Sequence, residues 1–254
     1  MTAGKVIFVS DIHLYYGGAD YLKTFTSFLR TAGAQADTLY IHGDLFDFYV
    51  GPRQGRQPFY QPLFSALEEL VTAGVRVHAI RGNRDFLVGK HFRQCGITVL
   101  PDASTLELGR YRVHLSHGDE FCIHDHSYLF WARGVLRSLP IRFLVRNLPV
   151  CCAIWLARRY RKVSEAKGKR LGRGTGGRLS TILDGVNQLL SRDPHHVVIC
   201  GHIHELAETP MPHEGGTARL LTTGAWEDGP NCILFDGADF QLMRYAEQTG
   251  LTPI

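Results

Sequence analysis

The sequence predicts an α/β fold carrying an inserted helical segment, on three observations. Short runs rich in β-branched residues recur, each followed by turn chemistry. Helical patterns separate the first of these runs. The stretch from about residue 121 to 191 breaks the alternation with a basic and apolar composition. The strands expected are Val6–Ser10, Thr38–His42, Val75–Ile80, Thr98–Leu100, Tyr111–Ser116, His196–Cys200, Leu220–Thr223, Cys232–Phe235 and Phe240–Arg244. Between the first pairs, Tyr21 to Ala32 spaces Leu22, Phe25, Phe28 and Leu29 by three and four, as one buried helix face requires. Tyr60 to Ala73 repeats this with Leu63, Phe64, Leu67 and Val71, and Gly74 is placed to close that helix in the left-handed region. Strand–helix–strand order implies right-handed parallel units in the first half. The later strands lack intervening helices and read as antiparallel.

Composition bounds the rest. At 254 residues and 44% hydrophobic content the chain can bury a substantial core, and we read 1–254 as a single domain with a helical cap inserted at about 121–191. In the cap, Pro140 and Pro149 break short helices, a Gly-rich stretch follows (Gly172, Gly174, Gly176, Gly177), and Leu179 to Leu190 is helical again. Net charge is only +4, yet 13 of the 28 lysines and arginines fall between Arg133 and Arg178, where Glu165 is the sole acid. Such a block favours anionic partners. Six cysteines show no metal-binding spacing, and Cys151 and Cys152 are adjacent in an apolar run. With no secretory segment before the first strand, this reads as a reducing cytoplasmic protein with buried free thiols. No stretch approaches the roughly 20 apolar residues of a spanning helix.

Seven residues carry the chemistry: Asp11 and His13 in Asp-Ile-His, Asp44 in Gly-Asp-Leu, Asn83 in Gly-Asn-Arg-Asp, His117 in His-Gly-Asp, and His202 and His204 in Gly-His-Ile-His. Each stretch ends an apolar run, and ligands of open α/β sheets collect beyond the carboxyl ends of strands. Asp11 and His13 alternate, so both can face one way. Any one of these pieces alone is more often structural; the five together are not. Two carboxylates, four imidazoles and an amide oxygen, with no thiolate, suit Mn²⁺, Fe, Zn²⁺ or Mg²⁺. Two such metals hydrolyse phosphate esters.

The set resembles the calcineurin-like metallophosphoesterases, and the match runs from Asp11 to His204. The resemblance implies a sandwich of two mixed β-sheets flanked by helices. It implies one metal on Asp11, His13 and His204, a second on Asn83, His117 and His202, and Asp44 as the bridge. Where that family has His, this chain has Arg84, which cannot act as an acid near neutral pH but can hold phosphate oxygens. Catalytic roles accordingly fall to Asn83 and Arg84, and the leaving group needs no proton if it is itself a phosphate. Gly82 to Lys90, Gly43-Asp44-Leu45-Phe46-Asp47, His117-Gly118-Asp119 with Cys122 and Asp125, and Gly224-Ala225-Trp226 narrow the resemblance to the UDP-2,3-diacylglucosamine hydrolases of lipid A synthesis. Those enzymes use two divalent cations, usually Mn²⁺, to release UMP and the diacyl sugar 1-phosphate.

The resemblance makes the UDP-linked diacylated glucosamine the expected partner. Asn83, Arg84, Asp125, Ser164, Lys167, Arg170 and His202 are the expected substrate contacts, although Lys167 stands where the family tends to have Asn. The cap mixes Trp131, Leu136, Phe143, Leu148 and Trp155 with arginines, which suits acyl chains and peripheral contact with the anionic cytoplasmic face of an inner membrane. No nucleic acid is expected. The alternatives are another metallophosphoesterase, acting on nucleotides or phosphodiesters, and a non-catalytic scaffold of the same fold. His42, beside Asp44, and His124, beside Asp125, read as structural, with a supporting role at the metals or the entrance as the alternative.

Overall fold

The computed structural model describes residues 4–124, 138–152, 154, 155, 159 and 179–254. Two mixed β-sheets pack face to face with helices outside them. The strands are β1 (Val6–Val9), β2 (Thr38–His42), β3 (Arg76–Ile80), β4 (Thr98–Val99), β5 (Ala103–Leu108), β6 (Tyr111–Ser116), β7 (Val197–Cys200), β8 (Ala207–His213), β9 (Gly216–Thr222), β10 (Asn231–Phe235), β11 (Phe240–Ala246) and β12 (Gly250–Pro253). The seven-stranded sheet runs β12-β11-β10-β1-β2-β3-β4 and the five-stranded sheet β5-β6-β7-β9-β8. Helices α1 (Ala19–Gln35) and α2 (Gln61–Thr72) cover the first sheet; α3 (Leu139–Asn147) follows in the cap region, and α4 (Ser180–Arg192) covers the second sheet.

Strand alternation sorts the core into layers. In β1, Ile7 and Val9 face the helices while Val6 and Phe8 face the other sheet. In β7, Val197 and Ile199 face the first sheet while Val198 and Cys200 face α4. Burial on both faces explains why these strands read as unbroken apolar runs. The helix faces are those the spacing predicts: Phe25, Phe28 and Leu29 of α1 and Leu63, Phe64 and Leu67 of α2 are buried. Gly74 takes φ +91° and its N–H donates to Val71 O, ending α2 as expected.

The parallel expectation holds for β1-β2-β3-β4. The antiparallel expectation for the later strands holds for β10, β11 and β12 but not for the centre of the second sheet. There β6 pairs parallel with β7, and β7 with β9. The crossover from β6 to β7 returns through α4, and that from β7 to β9 through the edge strand β8, so parallel partners arise without a helix beside every strand. In the cap region, Pro140 stands in the first turn of α3, and the helix stops before Leu148, held extended by Pro149. Cys151 and Cys152 are exposed rather than buried, whereas Cys95, Cys200 and Cys232 are buried.

Trp226 ties this frame to the loops beyond β1. It is fully buried, edge-on to Phe25 and Phe28 at 5.1 and 5.0 Å between ring centroids. Its indole N–H donates to Asn231 O at 2.8 Å, and its backbone N–H donates to Asp11 O at 3.1 Å. Trp226→Ala is expected to lower the unfolding free energy by about 3–5 kcal/mol, through lost burial and the cavity left behind. Urea denaturation checks this, and a change under about 1 kcal/mol would mean that the aromatic cluster repacks freely.

Candidate metal centre

The backbone marks the site before any side chain is considered. Among the described residues, the non-glycine positions with positive φ are Asp11 (54°), His13 (56°), Asp44 (52°), His202 (69°) and His204 (59°). All five belong to the seven residues singled out from the sequence. A left-handed L-residue costs roughly 1–2 kcal/mol, and such strain persists where surrounding structure fixes it, typically at functional sites. Here the fixing is mutual. Asp11 N–H donates to Gly43 O at 3.2 Å, His13 N–H to Asp44 O at 3.0 Å, and Gly201 N–H to His117 O at 2.9 Å. The loops after β1 and β2 are thus stitched together at the end of the first sheet, and those after β6 and β7 at the end of the second.

Carboxylates complete the stitching. Asp85 accepts backbone N–H donors from Gly82 at 2.7 Å, Leu45 at 2.9 Å and Asp44 at 3.3 Å, locking the loop after β3 to the loop after β2. Asp11 Oδ2 accepts from His202 N–H at 3.0 Å and from Ser10 Oγ, which also meets Thr223 Oγ1 at 2.6 Å. Glycine is required where these loops touch. A Cβ on Gly82 would lie 2.1 Å from Asp44 Oδ1, and one on Gly201 would lie 2.1 Å from Asp11 Oδ2.

With Oδ2 so occupied, Asp11 Oδ1 is buried without a hydrogen-bond partner, as is His13 Nδ1. His204 Nε2 lies 3.4 Å from Asp11 Oδ1, and His13 Nε2 lies 3.1 Å from His204 Nε2. A second group forms where Asn83 Oδ1 lies 2.9 Å from His117 Nε2 and 3.3 Å from His202 Nδ1. Asp44 Oδ2 sits between the groups, 3.9 Å from His13 Nδ1 and 3.7 Å from His117 Nε2. Donor atoms bound about 2.0–2.2 Å from one cation stand about 3–3.5 Å apart, close to the contacts just given within each group, with Asp11 Oδ1 and His13 Nε2 wider at 3.8 Å. Asp11, His13 and His204 converge as a set able to hold a cation, and so do Asp11, Asp44 and His117. His117 Nδ1–H donates to His42 O at 3.3 Å, which leaves its Nε2 lone pair for a metal.

Electrostatics favour cations here. Burial pushes the Asp44 carboxyl up to about 7, and the neighbouring Asp85 and Asp11 carboxylates add to this against the His117 and Arg84 charges. Burial works the same way on Asp11, but the nearby His204, His117 and His13 imidazoles hold it well below the usual carboxylate range. Burial, then the nearby His117 charge, pushes His202 down to about 4, so it is neutral and ready to ligate. Burial also lowers His13. His117 is raised, the carboxylates of Asp44 and Asp11 overcoming its burial.

Arg84 completes the rim. Its backbone N–H donates to Asp44 Oδ1 at 2.9 Å, its Nε lies 3.4 Å from Asp44 Oδ2, and its Nη1 pairs with Asp47 Oδ1 at 2.8 Å. All seven sequence-predicted ligand residues and Arg84 are thus brought together. Asp125, Ser164, Lys167 and Arg170 lie outside the described residues. His42 is buried under the site with both ring nitrogens unpartnered, and His124 is exposed, 2.8 Å from Asp184. Sequence reading passed over Ser10, Thr223, Asp47 and Asp85 as supports, although Asp47 and Asp85 stand inside the quoted motifs.

The family model for calcineurin-like phosphoesterases matches residues 4–206. The UDP-2,3-diacylglucosamine hydrolase of Pseudomonas aeruginosa is 33% identical over 224 residues, 88% of this chain and 91% of that protein. The enzyme of the same name from Azotobacter vinelandii is 32% identical over 244 residues, covering 94% and 98%. That from Ralstonia nicotianae is 34% identical over 228 residues, covering 87% and 83%.

Metal uptake must displace the protons that Asp44 and His117 retain in the metal-free protein. A carboxyl raised to about 7 and an imidazole raised above its usual range both hold protons in acid, so Mn²⁺ affinity is expected to rise with pH through about 7 before it levels. Calorimetry in buffers of different ionisation enthalpy is expected to show proton release at about pH 6 that fades by about pH 8. Affinity independent of pH across that window would contradict the assignment of Asp44 as a ligand.

Proposed function

This chain belongs to the calcineurin-like phosphoesterase family, and on that premise we propose that it is a metal-dependent pyrophosphatase. Its substrate is UDP-2,3-diacylglucosamine, and its products are UMP and 2,3-diacylglucosamine 1-phosphate in lipid A synthesis. The reading is carried by the convergence of two donor groups around Asp44, on strained loops from both sheets, with Arg84 at their rim. Asp11, His13 and His204 would hold one cation and Asn83, His117 and His202 the other, with Asp44 between. Mn²⁺ is the metal assigned, because it suits a mixed nitrogen and oxygen set without thiolate and is usual in the resembled enzymes. When bound, such a pair supplies an activated water at neutral pH and neutralises charge on phosphoryl oxygens.

The chain's own groups do the rest by position. Asp85 and the Asp44 backbone fix the loop on which Asn83 and Arg84 stand. Arg84 binds a phosphoryl oxygen and stabilises charge as it develops. No acid is needed in place of the family's histidine, because the group that leaves pyrophosphate is a phosphate. Asp125, Ser164, Lys167 and Arg170, together with His202, are assigned to the sugar and its phosphate.

Phe143, Leu144 and Trp155 are exposed in the cap region, and the Arg159 guanidinium lies over the Trp155 ring at 5.8 Å. Apolar side chains beside arginines support a cap at about 121–191 that receives acyl chains. They also support peripheral contact with an anionic membrane at the cytoplasmic face of the inner membrane. Among the described residues, no helix is long and apolar enough to cross a membrane.

The direct test is release of UMP from UDP-2,3-diacylglucosamine with Mn²⁺, against a chelator control. Asp44→Ala and His117→Ala are expected to abolish it while circular dichroism stays near normal, and Arg84→Ala to slow it by about a hundredfold. Rapid turnover of a water-soluble phosphodiester, with none of the lipid nucleotide, would place the chain with another activity of its family. Absence of bound metal and of hydrolysis of any activated ester would make it a scaffold.

A further inference from the structure

Arg84 lies between two carboxylates that differ in what they can do. Asp44 belongs to the metal centre; Asp47 is in neither donor group. Asp47 N–H donates to Leu14 O at 3.0 Å, which pins it to the loop carrying Asp11 and His13. Its side chain reaches across to Arg84 Nη1 at 2.8 Å, and both residues are largely buried. The Arg84 backbone is fixed independently, by its N–H on Asp44 Oδ1 and by its carbonyl accepting from Tyr49 N–H at 3.2 Å. What remains free to swing is the long side chain, and an unanchored guanidinium 3.4 Å from Asp44 Oδ2 has an obvious destination. A full salt bridge to Asp44 would cancel the charge that a cation needs and turn the guanidinium away from the phosphate.

We infer that Asp47 is a positioning residue that competes with Asp44 for the Arg84 guanidinium and limits it to the single Nε contact at 3.4 Å, keeping the carboxylate open to metal and the guanidinium open to a phosphoryl oxygen. The part concerning phosphate rests on the proposed function; the part concerning metal does not. A carboxylate is the fitting group for the task. Its negative charge balances Arg84 when Asp44 is committed elsewhere, and its geometry matches the guanidinium fork. Groups that orient the reactive residues of metal sites are worth about 10–100-fold in metal affinity or activity.

The test is a double-mutant cycle read by two measurements, Mn²⁺ affinity by calorimetry and steady-state hydrolysis. Asp47→Ala is expected to weaken Mn²⁺ binding by about tenfold, and Arg84→Ala/Asp47→Ala to bind Mn²⁺ as Arg84→Ala does. In hydrolysis, Asp47→Ala is expected to lower kcat with little change in KM, and to add nothing in the Arg84→Ala background. Asp47→Asn, which keeps an acceptor for Nη1, is expected to recover part of both losses. Equal weakening of Mn²⁺ binding by Asp47→Ala with or without Arg84 would overturn the inference, since Asp47 would then support the fold alone. If UDP-2,3-diacylglucosamine is not hydrolysed while the metal cycle behaves as described, the proposed substrate fails and the role of Asp47 stands.

Discussion

Two carboxylates and four imidazoles packed at the carboxyl ends of two sheets form an arrangement that water does not stabilise. Asp11 and Asp44 are almost wholly buried, and the Arg84 guanidinium beside Asp44 is shared with Asp47. Burying a carboxylate without a matching cation is costly enough that the group retains its proton instead, which is what raises Asp44. Asp11, Asp44 and three of the surrounding histidines also adopt backbone conformations that L-residues avoid. Bound divalent cations resolve the electrostatic part of this conflict, and the cross-stitched loops hold the conformational part. The remainder of the fold serves to keep those loops in register.

That register depends on elements far apart in sequence. The ends of β1, β2 and β3 belong to one sheet, while those of β6 and β7 belong to the other. Asp85 joins two loops of the first sheet, and the Asp11 carboxylate joins the first sheet to the second through His202 N–H. Trp226 anchors the Asp11 carbonyl to the aromatic cluster under α1. A change at any of these points moves ligands supplied by several loops, so damage to the frame and damage to the chemistry are coupled.

The centre of each sheet was legible in the sequence because strands buried on both faces are written as continuous apolar runs. The edges were not. β5 alternates exposed and half-buried residues in Ala-Ser-Thr-Leu-Glu-Leu, and β8 contains Pro210 and Pro212, which argue against a strand except at an edge. β12 is four residues long and opens on Gly250. The parallel centre of the second sheet was hidden because its crossovers depend on where distant segments return. For the site, residue types and spacing were enough to gather the seven donors and Arg84. Left-handed backbone at Asp11 and Asp44, the three donors on Asp85 and the reach of Asp47 to Arg84 are tertiary facts, and no local pattern announces them.

Anomalous diffraction at the manganese edge, from crystals of the Mn²⁺-loaded protein, tests the central claim most directly. The account predicts two peaks about 3.5–4 Å apart, flanking Asp44, one beside Asp11, His13 and His204 and the other beside Asn83, His117 and His202. A single peak, or peaks away from Asp44, would contradict it.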